Sequence, residues 1–95
     1  MAAYLIVDLK VFDEPLMAEY RKQVGASIES FGGKVLVRAG GFDVMEGDWH
    51  PTSLVLIEFP SRARVHEWYA SPGYKELIAM RQKAAHTDAV VVDGL

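Results

Sequence analysis

The chain is 95 residues long, 51% apolar and 24% charged, with no cysteine and a formal charge of -3. That length holds one domain with a thin core, and the missing thiols exclude disulfides, cysteine nucleophiles and thiolate zinc sites while fitting a reducing compartment. The slight acidity argues against nucleic acid or an anionic membrane as a partner drawn by net charge.

The opening apolar stretch, Met1 to Val7, is too short for a signal core or a membrane span and has no basic region ahead of it, so a cytoplasmic protein is expected. Tyr4 to Val11 is aliphatic and β-branched, which predicts a first strand. Asp13-Glu14-Pro15 then opens a helix. Asp13 can cap it, Glu14 complements the positive end of the dipole, and Pro15 is tolerated where its missing N–H would be unpaired. Leu16, Tyr20, Val24, Ile28 and Phe31 form one apolar stripe, and Gly32-Gly33 ends it, most simply through a left-handed residue.

Lys34 to Arg38 reads as a second strand, with a bulge at Gly40-Gly41, a continuation from Phe42 to Glu46 and a turn around Gly47-Asp48. Thr52 to Phe59 is a third strand, and a connection of about four residues predicts an antiparallel hairpin with the second. Ser61 caps a helical stretch carrying Val65, Trp68 and Tyr69, and Ser71-Pro72 caps another carrying Leu77, Ile78 and Met80. The expectation is a second helix, broken, over roughly 62 to 84. Thr87 to Asp93 closes the chain as a strand. The order β-α-β-β-α-β is that of a ferredoxin-like α+β fold, a single domain over 1–95 with both helices on one face of an antiparallel sheet.

Strand alternation raises the question of the other face. Tyr4 and Ile6 oppose Leu5, Val7 and Leu9, while Leu54 and Leu56 oppose Val55, Ile57 and Phe59. Both faces are apolar, so both need cover. Two helices suffice for one, and a second copy in a two-fold homodimer is the economical cover for the other. The alternative is a monomer whose sheet is capped by the segment from Phe42 to Trp49. The same alternation groups Asp8 with Tyr4 and Ile6, Arg38 with Leu36, and Glu58 with Leu56. Such charges, if enclosed, either line a small-molecule cavity, with Arg38 orienting an anionic or enolate oxygen and a carboxylate of raised pKa as base, or form a structural ion-pair network.

Gly32-Gly33 leading to Arg38, Glu46-Gly47-Asp48-Trp49, Glu58-Phe59-Pro60-Ser61, Trp68-Tyr69-Ala70-Ser71-Pro72-Gly73-Tyr74 and Arg81 together resemble the domain of unknown function 1330 (DUF1330) family over nearly the whole chain. The resemblance implies a ferredoxin-like subunit that dimerises through its sheet into an α/β barrel, and it implies no established activity. It directs attention to Arg38, Glu46, Glu58, Trp68, Tyr69, Ser71, Tyr74 and Arg81, which with Asp8 are the candidate positions. Ser71 reads equally as a cap, and Trp68 and Tyr69 as core. Tyr74 and Arg81 are seven apart on one helix face, where a phenol and a guanidinium could meet a ligand carboxylate or a carboxylate across the dimer; the alternative is an exposed Arg81 paired with a surface glutamate.

Glu46, Asp48 and His50 alternate and could offer metal ligands if extended, but Gly47 and Pro51 favour a turn, and no metal site is expected. His66 and His86 have no ligand spacing. Gly25 to Glu29 half-matches a nucleophile elbow without its last glycine, and neither a phosphate loop nor a dinucleotide fingerprint is present. RNA-recognition domains share this element order, yet Thr52 to Phe59 lacks their stacking aromatics and basic residues. By fold analogy the antibiotic-biosynthesis and haem-degrading monooxygenases come into view; the latter rely on an asparagine, which this chain lacks altogether. The expectation is a small-molecule-binding protein, either a cofactor-independent isomerase, lyase or monooxygenase on an acidic or enolisable substrate, or a non-catalytic binding or accessory protein.

Overall fold

A computed structural model describes residues 1–38 and 41–95. The elements are β1 (Ala3–Val11), α1 (Glu14–Ser30), β2 (Lys34–Arg38), β3 (Leu54–Phe59), α2 (Arg62–Ala70), α3 (Pro72–Ala84) and β4 (Ala85–Asp93). All strand pairs are antiparallel, in the order β2-β3-β1-β4. This is the ferredoxin-like α+β arrangement expected, with three helices because Ser71-Pro72 breaks the second. Proline disfavours helical backbone at the residue before it, and Ser71 is extended at φ -66°, ψ 143°. Its Oγ donates to the Trp68 carbonyl at 2.7 Å and accepts from Tyr74 N at 3.4 Å, closing one helix and starting the next.

The other boundaries follow from local chemistry. Asp13 accepts from Leu16 N at 3.1 Å as the cap of α1. At its far end Gly32 takes φ 79°, where Gly32 N and Gly33 N donate to the carbonyls of Glu29 and Ile28. β4 begins at Ala85, two residues earlier than Thr87, because Phe12 N and Asp13 N both donate to the Ala84 carbonyl and tie the helix end directly to the end of β1.

Leu5, Val7, Leu9, Ile57 and Phe59 face the helices and are buried against Met17, Tyr20, Val24, Ile28, Val65, Trp68, Tyr74 and Leu77. Trp68 stacks on Tyr74 with ring centroids 3.9 Å apart, and its Nε1 donates to Ser27 Oγ at 2.9 Å. The Cα envelope is a plate of 37 × 36 × 16 Å, one helical layer on one sheet. On the helix-free face lie Tyr4, Ile6, Leu54, Leu56, Val90 and Val92, with Val90 59% exposed.

Two strand expectations need correction. The segment from Phe42 to Glu46 is irregular and exposed instead of continuing β2, and the β2–β3 connection spans residues 39–53 instead of about four. β3 has only six residues, and Lys34–Arg38 already pairs with it up to Arg38↔Val55, so a longer β2 would find only Leu54 left to pair with. Of the bulge expected at Gly40-Gly41, Gly40 lies outside the described residues, and the described bulge falls earlier, between Val35 and Val37.

Candidate functional site

That bulge decides where Arg38 points. Val35 pairs with Ile57 on the helix side, Leu36 is the extra residue, Val37 pairs with Leu56 on the open side, and Arg38 pairs with Val55 on the helix side again. Arg38 therefore does not share a face with Asp8 and Glu58, as regular alternation predicted. It lines a cavity of about 70 Å³ between the sheet and the helices, together with Tyr20, Arg21, Trp68, Tyr69, Tyr74 and Arg81. The rest of the wall is apolar, from Leu5, Val7 and Leu9 to Val24, Ile28, Val55 and Ile57.

The buried end of this cavity is a polar cluster inside the core. Tyr74 is 1% and Arg81 7% exposed. Arg81 Nη1 donates to Tyr74 Oη at 2.8 Å, and the Tyr74 and Tyr20 hydroxyls are hydrogen-bonded at 2.8 Å. Arg81 Nε is buried without a partner. Burial pushes the Tyr74 phenol well above its ordinary range, with neighbouring Tyr20 adding to the effect and Arg81 pulling against it, so it stays neutral at physiological pH. Burial also opposes charge on Arg81, but Tyr74, Tyr20 and Tyr69 outweigh it and hold its pKa above the usual value. Arg81 is thus a buried cation among phenols. No Asp, Glu or His is among the described residues lining the cavity. Arg21 is paired with Glu14, whereas Arg38 is exposed and marks the open end.

Of the candidate positions, the fold brings together Arg38, Trp68, Tyr69, Tyr74 and Arg81 and places Asp8, Glu46 and Glu58 elsewhere. Glu58 lies on the open sheet face and accepts from Tyr4 Oη at 2.9 Å. Glu46 is exposed in the irregular segment, as are Asp48 and His50, and no three His, Asp or Glu among the described residues converge on a metal position. Asp8 accepts from Thr52 N at 2.9 Å, Ser53 N at 3.3 Å and Trp49 Nε1 at 3.4 Å. Partial desolvation pushes its pKa up, but these donors and His86 outweigh it and hold the carboxyl below its ordinary value. A carboxylate base of raised pKa was expected beside Arg38; Asp8 is shifted the opposite way and sits on the opposite face. Sequence reasoning missed Tyr20, which it read as core. The available signal was a phenol within an apolar stripe, since a buried tyrosine hydroxyl needs a partner.

Among families, the one described as Domain of unknown function (DUF1330) matches residues 2–95. No curated protein matches the chain. Among solved structures, the RPA0582 protein of unknown function from Rhodopseudomonas palustris is similar at 22% identity and TM-score 0.77, over 99% of this chain and 82% of that one. SnoaB, a cofactor-independent oxygenase from Streptomyces nogalater, is similar at 9% identity and TM-score 0.61, over 99% and 93%. An antibiotic biosynthesis monooxygenase is similar at 12% identity and TM-score 0.59, over 100% and 99%. At these identities the likeness is one of fold.

Proposed function

This chain belongs to the DUF1330 family, whose name carries no activity, and from its cavity we propose that it binds a small acidic or enolisable molecule as the anion, held at Arg81. One observation carries the reading: a guanidinium in the core with phenols around it and no carboxylate to neutralise it. Buried charges persist when paired, and here a ligand is the natural counter-charge. Arg38 at the open end would draw the anion in, and Arg81 with Tyr74 would hold the oxygen on which negative charge rests or develops. In its enzymatic form the site is that of a cofactor-independent isomerase, lyase or monooxygenase. The similar fold of SnoaB, named as a cofactor-independent oxygenase, is compatible with that form. With no carboxylate or imidazole in the lining to take a proton, the substrate must be acidic enough to arrive as its anion or enolate. The same lack favours a second reading, a binding or accessory protein that holds the anion without turning it over.

We place the site in a homodimer, a second copy covering the apolar open face around Ile6, Leu56 and Val90, and the cysteine-free chain in the cytoplasm. Thermal unfolding tests the anion reading, since a ligand bound only by the native state raises Tm. Small carboxylates should raise Tm in a concentration-dependent way and their uncharged amides should not. Equal shifts from both, or none from any carboxylate, would overturn it.

A further inference from the structure

Counting the hydrogens at the buried end of the cavity narrows the ligand, on the premise that the anion reading holds. Tyr20 and Tyr74 bring two hydroxyl hydrogens, and their mutual bond uses one, whichever is the donor. Tyr74 Oη already accepts from Arg81, Tyr20 Oη also faces Arg81 as an acceptor, and neither phenol donates to another described residue. One phenol hydrogen is therefore unspent, and so is the Nε hydrogen of Arg81. The cluster has donors and one positive charge to give, and among the described lining residues no anionic acceptor to match them.

We propose that this cavity is a site for short-chain monocarboxylates such as propionate or pyruvate. A carboxylate brings two acceptor oxygens, a single negative charge and no hydrogen of its own, which complements that surplus. A second carboxylate held inside, short of Arg38 at the open end, would lie against aliphatic wall residues such as Val24, Ile28 and Ile57, at the cost of burying an unpaired charge. Size sets the other limit. The cavity of about 70 Å³ is less than half the roughly 150 Å³ in which an apolar protein cavity takes up benzene. A short aliphatic chain fits inside; the ring of an aromatic acid would have to protrude through the open end.

Calorimetric titration of the wild-type protein at neutral pH with propionate, pyruvate, benzoate, succinate and propionamide tests this. Propionate and pyruvate should bind about tenfold or more tighter than benzoate and succinate, and propionamide should not bind. Val24→Ala, which enlarges the wall, should narrow the gap between benzoate and propionate, and its denaturation midpoint will show that it is folded. Benzoate or succinate binding the wild type as tightly as propionate would overturn the monocarboxylate assignment and leave the anion reading standing. Propionamide binding as well as propionate, or no carboxylate binding at all, would overturn both.

Discussion

Arg81 takes a guanidinium into the core with phenols around it and one nitrogen unpartnered, where it can serve the fold and the ligand. Removing it should separate the two. Arg81→Met keeps most of the side chain's volume and leaves the Tyr20–Tyr74 bond in place. It should abolish carboxylate binding and, by removing a cation whose pKa the fold holds above the usual value, lower the midpoint of urea denaturation modestly. A purely structural Arg81 would show the lower midpoint with carboxylate binding retained. Asp8 gives a second test. Its folded pKa is depressed, so its contribution to stability is complete above the unfolded value of about 3.9 and is lost as pH falls through the folded one. Asp8→Asn should lower stability at neutral pH and flatten the loss between about pH 4 and more acid conditions, read from denaturation midpoints across that range. At this scale the sequence revealed Tyr74 and Arg81 by their helical spacing. It misplaced Arg38, because a single extra residue in a strand reverses every side chain after it.

That extra residue makes β2 the element on which the open end of the cavity depends. Arg38→Gln keeps the bulge and the strand pairing and takes the charge out of the entrance. Ligand association should then slow, with a weaker dependence on ionic strength, because a steering charge has left the entrance; an unchanged rate in stopped-flow binding would show that Arg38 plays no part. The helices and their ends were legible because Asp13, Gly32, Ser61 and Ser71 act on backbone groups a few residues away. The segment from Phe42 to Glu46 was not. Its alternation resembles a strand, but whether it pairs depends on how much of β3 is still free, a property of another part of the chain.

As a whole the molecule is a plate with one apolar face packed and the other open, and strand alternation had already indicated that both sides call for cover. On the homodimer account, Leu56→Glu places a charge on the shared face and should raise the dimer dissociation constant about tenfold or more, equivalent to about 1.4 kcal/mol, with sedimentation equilibrium as the readout. Its helix-side core is untouched, so a folded monomer should result. The central claim, that Arg81 holds an anion, is tested most directly by heteronuclear NMR of the arginine Nε–H groups during titration with propionate. The account predicts one solvent-protected signal, assigned by its loss in Arg81→Met, that shifts saturably with ligand. A protected Arg81 signal that stays fixed, while exposed arginines such as Arg38 and Arg62 drift linearly with added salt, would contradict it.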